Sequence, residues 1–175
     1  MLSLKGQNLY LRALEPEDLD FLYTIENDEK IWEISSTITP YSRFVLKQYL
    51  EQSHRDLFEI KQLRLVISNF EDQAIGFVDL FDFDPMHKRA GIGILISNRT
   101  DRYKGYGKEV LDILINYCFD YLDLHQLFAN IAVDNQASIQ LFERSGFIQV
   151  GVKKDWIKTG SIYKDELLYQ LINVH

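Results

Sequence analysis

The sequence predicts an α+β fold built on a mixed, mostly antiparallel twisted sheet of about seven strands, with about four helices. Three observations carry that expectation. Strand-like runs at residues 62–68, 74–81 and 89–97 follow one another through short links, which favours an antiparallel meander. A helical-period stretch at 109–122 separates the strand-like runs 89–97 and 126–133, and a strand–helix–strand unit supplies a parallel pair. The 175 residues are 46% hydrophobic and 26% charged, the range of one globular domain spanning 1–175.

The elements follow in order. Residues 8–14 alternate and are rich in β-formers, so they read as the first strand. Pro16 suits a helix start, with Glu17, Asp18 and Asp20 near its positive end and Leu19, Leu22, Tyr23 and Ile25 as apolar positions. Residues 27–40 read as an irregular or short-helical connection. Ser42 caps a second helix running to about residue 55, with Val45, Leu46, Tyr49 and Leu50 on one face. Residues 69–73 form a hairpin turn between the first two meander strands, and 82–88 form a polar connection containing Pro85. The helix after residue 108 buries Val110, Leu111, Leu114, Ile115, Cys118 and Leu122. Asn135 caps a short helix with Ile139 and Phe142 inward, and Gly146 stops it. Residues 147 to about 157 and 162–172 are a final pair of strands.

The net charge of −7 argues against a general nucleic-acid surface. It fits either cationic substrates or ordinary solubility. One cysteine, Cys118, on an apolar helix face excludes a disulfide framework and fits a cytoplasmic setting. The N-terminus lacks a signal-peptide pattern and no apolar run approaches a membrane span. No metal site is expected.

Residues 101–108 are the local exception to the acidic balance. Arg102, Lys104 and Lys108 surround Gly105 and Gly107, between a strand-like and a helix-like run. Backbone N–H groups at such a helix entry, together with about half a positive charge from the helix dipole, form a phosphate cradle. Glycine removes side chains that would block backbone approach. Gly91 and Gly93 share one face of the preceding strand, opposite Ala90, Ile92, Ile94 and Ile96. They mark either close approach of a ligand or a packing accommodation. Asn135 is either a helix cap alone or also a polar ligand contact.

Two motifs then give the chain a resemblance to the GNAT superfamily of acetyl-CoA-dependent N-acetyltransferases. Arg102-Tyr-Lys-Gly-Tyr-Gly107 is similar to the family's pyrophosphate loop, and Val133-Asp-Asn-Gln-Ala-Ser-Ile-Gln-Leu-Phe-Glu-Arg-Ser-Gly-Phe147 to its later helix block. The opening Leu9-Tyr-Leu-Arg-Ala-Leu-Glu-Pro-Glu-Asp18 and the late Gly160-Ser-Ile-Tyr-Lys-Asp165 resemble the branch of ribosomal-protein N-terminal and spermidine/spermine acetyltransferases. The resemblance implies acetyl-CoA as cofactor, with CoA as product. It implies pyrophosphate binding at Arg102, Tyr103, Lys104, Gly105, Tyr106, Gly107 and Lys108. It further implies pantetheine pairing along Ile94, Leu95, Ile96 and Ser97 at a splay between two parallel strands, and cofactor contacts from Asn135, Ser138 and Phe142.

The implied activity is acetyl transfer to a primary amine, either a protein N-terminus or a small polyamine-like molecule, by direct attack in a ternary complex. No Ser/Cys–His arrangement calls for an acyl-enzyme. Two departures bear on this. Phe142 stands where many members carry a tyrosine acid, and Gly91 where polyamine enzymes tend to be acidic. A thiol of pKa about 8.5 leaves tolerably without an acid, whereas neutralising an alkylamine at pH 7 costs roughly 4.6 kcal/mol. An α-amine near pKa 8 needs far less help. Asp79 and His87 are the candidate bases, with Asp82 and Asp84 beside them. Trp32, Phe81 and Phe83 are expected to line the acceptor pocket, Trp32 being equally at home in a core. Tyr106, Tyr163 and Tyr169 are candidate proton donors. The alternative is a CoA-binding regulatory or interaction module with impaired catalysis. The fold is also expected to pair through edge strands into a homo-oligomer.

Overall fold

The computed structural model describes residues 3–102 and 104–174, and the backbone alone at Arg99. Seven strands form one sheet: β1 (Leu9–Arg12), β2 (Leu63–Asn69), β3 (Ala74–Asp84), β4 (Arg89–Ile96), β5 (Gln126–Ala132), β6 (Ile148–Thr159) and β7 (Ile162–Ile172). Their spatial order is β1-β2-β3-β4-β5-β7-β6. Every neighbouring pair is antiparallel except β4 with β5. This is the expected mixed α+β sheet.

The helices are α1 (Leu19–Glu26), α2 (Glu29–Ser35), α3 (Arg43–Glu51), α4 (Leu57–Ile60), α5 (Arg99–Arg102), α6 (Tyr106–Asn116) and α7 (Gln136–Arg144). Five of them have seven residues or more. A 3₁₀ turn at Pro16–Asp18 leads into α1, and a π turn at Tyr117–Tyr121 ends α6. Helices α4 and α5 have four residues each, too few for a helical period to show in sequence. Among the described residues no helix is long and apolar enough to cross a membrane.

The caps are local chemistry. The Ser42 side chain accepts from the Val45 N–H at 3.1 Å, and that of Asn135 from the Ser138 N–H at 3.2 Å. Gly146 has φ +92°, the left-handed stop that glycine takes without strain. The second helix ends at Glu51, earlier than expected, and is held through Leu46 and Leu50, while Val45 and Tyr49 are exposed. In α6 the core also takes Ile113, whereas Ile115 and Leu122 only pack against its edge. Strand β3 runs three residues past the expected end at Phe81. Asp82 adopts φ +47°, which Asp tolerates better than most, and the β3–β4 register shifts between Phe81 and Asp84.

The sheet has a core on each face. One, under α6 and α7, takes Ala90, Ile92 and Ile96 from β4 and Val110, Leu111 and Leu114 from α6. The other, under α1–α3, takes Val66 and Phe77 from the sheet and Leu22, Ile25 and Leu46 from the helices.

Candidate active site

The parallel pair is short. Strand β4 meets β5 only where Arg89, Ala90 and Gly91 oppose Gln126, Leu127 and Phe128. From Ile92 onward β4 stays with β3, as far as Ile96 opposite Gly76, while β5 follows β7, as far as Ala132 opposite Glu166. The strands part because each has a better partner on its other side. The wedge between them opens into a cleft of about 670 Å³. On one face of the sheet the cleft is lined by Asn135, Ser138 and Phe142, and on the other by Lys30, Glu33 and Ile34 of α2. Ile94 and Gly93 form its β4 wall.

Gly91 and Gly93 differ in their surroundings. A Cβ on Gly91 would lie 2.3 Å from the Phe81 ring, so this glycine accommodates packing. A Cβ on Gly93 would meet only Asp79 Cβ, at 4.0 Å. Gly93 therefore keeps the cleft open, and Phe81 reaches that cleft while its ring stacks edge-on against Phe128 at 5.5 Å.

The helix entry beside the wedge has the geometry of an anion cradle. Gly105 sits at φ +77° as the N-cap of α6 and offers no side chain. Among the described residues the N–H groups of Gly105, Tyr106, Gly107 and Lys108 have no acceptor. Gly107 has a packing role besides. A Cβ there would stand 3.0 Å from Leu141, so its absence lets α6 and α7 pack closely. The three cations are also partly committed. Arg102 Nε donates to Ile96 O at 2.9 Å, Lys104 pairs with Asp101 at 3.0 Å, and Lys108 pairs with Asp112 at 2.5 Å. Arg102 thus staples the loop to the end of β4. Tyr103 lies outside the described residues.

Of the remaining predicted residues, some converge and others do not. Asp79 faces the cleft, but Arg64 Nε and Nη2 grip its carboxylate at 2.7 and 3.0 Å. His87 is exposed in the β3–β4 turn, at the opposite end of β4 from the wedge. Asp82 is exposed, and Asp84 accepts from the His87 N–H at 2.9 Å. Phe83 is a core residue packed edge-on against Phe58 at 5.0 Å, and does not line the cleft. Trp32 donates its indole N–H to Glu26 O at 2.9 Å and lies outside the lining, whereas its neighbours Glu33 and Ile34 are in it. Leu95 and Ile96 pack into the two cores, and Ser97 caps Ile75 O through its side chain at 3.0 Å. Tyr169 is buried and donates to Glu143 Oε1 at 3.0 Å, Tyr106 packs against the core, and Tyr163 is exposed. Burial pushes the Cys118 thiol up to about 12, which removes it as a nucleophile near neutral pH.

Two charge clusters at the cleft are not legible in the sequence. Arg64 also donates to Glu26 Oε1 at 2.6 Å, so one guanidinium in the cleft wall joins β2, β3 and α1. Burial opposes its charge, but Asp79 more than offsets this and holds it charged. Lys164 pairs with Glu33 and, at 3.0 Å, with Asp134, across the mouth of the cleft. Both clusters join residues far apart in the chain, so no local spacing reveals them.

A family model described as the acetyltransferase (GNAT) domain matches residues 8–148. The chain belongs to the GNAT acetyltransferase family. It is an N-acetyltransferase that uses acetyl-CoA. Among curated relatives, spermidine N(1)-acetyltransferase of Vibrio cholerae is 29% identical over 146 residues, covering 83% of this chain and 82% of the relative. That of Escherichia coli K12 is 27% identical, covering 81% and 74%. A crystal structure of spermidine N-acetyltransferase from Vibrio cholerae in complex with CoA and spermine superposes with TM-score 0.84 at 26% identity, covering 95% of this chain and 96% of that one.

Proposed function

We propose that the chain, acting as one domain over residues 1–175, transfers acetyl from acetyl-CoA to a primary amine of a small polyamine-like molecule by direct attack in a ternary complex. The observation that carries this reading is the splay of β4 from β5, with an open helix N-terminus beside it and a cleft crossing the sheet. The residues present fit the cofactor. The N–H groups at the start of α6 suit a pyrophosphate. The β4 edge from Gly93 through Ser97 turns away from β5 and suits the amides of a pantetheine arm. Asn135, Ser138 and Phe142 border the cleft on the α7 side, and Phe81 with α2 borders the amine side.

Acetyl-CoA supplies an acyl group on a thiol leaving group when bound. The chain supplies alignment, which alone is worth roughly 7 to 11 kcal/mol. It offers little proton chemistry: Phe142 carries no hydroxyl, and Asp79 is already held by Arg64. The amine therefore arrives neutral or loses its proton to water. Glu33, Asp79, Asp134 and Glu166 line the cleft beside Lys30, Arg64 and Lys164 and are each paired with a cation, so it is the likeness to an enzyme crystallised with spermine that supports a cationic acceptor. The apolar Phe142 and the pairing of Asp79 with Arg64 favour a second acceptor class, the α-amine of a peptide, whose pKa of about 8 leaves it largely self-sufficient. The chain is read as cytoplasmic and self-associating. A dodecameric Vibrio cholerae spermidine N-acetyltransferase supports the second point, as do the exposed Ile148, Val150 and Val152 on edge strand β6.

The test is CoA-thiol release with spermidine, spermine, aminoglycosides and N-terminal peptides as acceptors. Saturable turnover with a polyamine is expected. Turnover confined to peptides transfers the assignment to the second class. CoA binding by calorimetry without turnover on any amine leaves a binding module, and absence of CoA binding defeats the reading altogether.

A further inference from the structure

The first turn of α6 contains a carboxylate that does not serve its own helix. Glu109 stands one residue after the N–H groups that open the cradle, where a loose carboxylate competes with a bound anion for the helix's positive end. It is turned away instead. Its Oε1 accepts from the Asn8 N–H at 2.8 Å and the Leu9 N–H at 3.1 Å, and its Oε2 from Asn8 Nδ2 at 2.9 Å. The acceptor turn is itself braced, with Gly6 N–H donating to Leu9 O at 2.7 Å and Leu11 N–H to Leu4 O at 2.8 Å. Residue 6 is fitted to this contact, because a Cβ there would stand 2.2 Å from Glu109 Oε1. Burial works to raise the Glu109 carboxyl, but the Asn8 and Leu9 donors hold it below the usual carboxylate range, so it is an anion at neutral pH.

We infer that Glu109 is a positioning residue for the anion cradle: locked onto the turn at residues 6–9, it fixes the first turn of α6 against β1 and keeps its own charge away from the open N–H groups. This rests on reading those groups as the CoA pyrophosphate site. No other described side chain ties the cradle helix to the N-terminal strand in this way, so the geometry of the cradle depends on a contact about a hundred residues away in sequence.

The test compares wild type with Glu109→Gln, Glu109→Ala and Gly6→Ala. CoA affinity is read by calorimetry, and turnover is measured with acetyl-CoA and with S-acetyl-pantetheine, which has no phosphates. Gly6→Ala displaces the carboxylate while leaving its charge, and needs no change at Glu109. The expected result is CoA binding about tenfold weaker in Glu109→Ala and Gly6→Ala and less affected in Glu109→Gln. The amine KM and the S-acetyl-pantetheine rate should stay within about twofold of wild type. CoA affinity unchanged in all three variants overturns the inference and leaves the functional reading intact. An equal loss with S-acetyl-pantetheine also overturns it, since the effect is then a general loosening. Failure of wild type itself to bind CoA removes the cradle reading on which both depend.

Discussion

Phe142 sets how much acid chemistry the cleft contains. Its ring is 3% exposed, lines the cleft and packs edge-on against Phe147 at 5.0 Å. On the proposed reading a hydroxyl at this position adds a donor near the departing thiolate, and a positioned acid contributes about 10²- to 10⁴-fold when proton transfer limits the rate. Phe142→Tyr is expected to raise kcat with CoA affinity unchanged; a lower kcat places the departing sulfur elsewhere. Asp79 is a different case, because Arg64 occupies both of its oxygens. Asp79→Asn is expected to lower stability by about 1–3 kcal/mol, the cost of a lost charge-assisted pair, without altering the slope of log kcat against pH. A flattened slope identifies Asp79 as a base after all. Gly105→Val places a β-branched residue at φ +77°, at a cost of about 1–2 kcal/mol or more, and is expected to weaken CoA binding.

At the scale of elements, what the chain announces is local and what it conceals is partnership. The strand runs, the Ser42 and Asn135 caps, the glycine stop and the α6 period are all written in consecutive residues, and they formed where expected apart from the longer β3, the shorter Ser42 helix and the exchange of Ile113 for Ile115 and Leu122 in the core. The parallel pair was also legible. The point where β4 leaves β5 is not written in either strand, since β3 and β7 decide it by holding the two outer edges. Gly91 and Gly93 look alike in sequence, yet one yields to a phenyl ring and the other opens the cleft, a difference made by Phe81 on another strand. Phe83 and His87 looked like approach residues, but the extra length of β3 carries one into the core and the other to the far end of the sheet. The same dependence on distant partners governs α2, the wall on the amine side. It buries only Ile31, and Glu33 tethers it to Lys164 and, at 2.9 Å, to Thr159 of the β6–β7 hairpin. Lys164→Ala frees that wall and is expected to raise the amine KM severalfold while CoA affinity holds; an unchanged amine KM shows that α2 stands without the tether.

For the whole molecule, two families of titrating groups set the pH range in which its chemistry can be read. Burial disfavours the Asp18 carboxylate, but the Arg12 guanidinium and the Glu15 N–H hold it below its usual range; the Asn8 and Leu9 donors do the same for Glu109. A depressed carboxyl binds fewer protons folded than unfolded. Its stabilisation is complete above the unfolded value of about 4 and is lost as pH falls through the lower folded value. On the alkaline side, burial raises Tyr169 and pushes Cys118 up to about 12. The unfolded thiol ionises first, so stability declines from about pH 8.5 upward until the folded value is reached. Between about pH 5 and 8.5 none of these four groups changes the stability, so a rate change there without a change in melting belongs to the reaction. On the proposed reading, with Phe142 apolar and Asp79 paired to Arg64, the reacting amine is the group expected to set the pH dependence. Log kcat/KM is expected to climb with unit slope across this plateau for a polyamine, whose pKa lies near 10, and to bend over near pH 8 for a peptide α-amine. The measurement is a pH–rate profile for both substrate classes beside a melting curve at each pH. A bend well below the pKa of the amine, at a pH where melting is unchanged, reveals an internal base and contradicts a site that works by alignment.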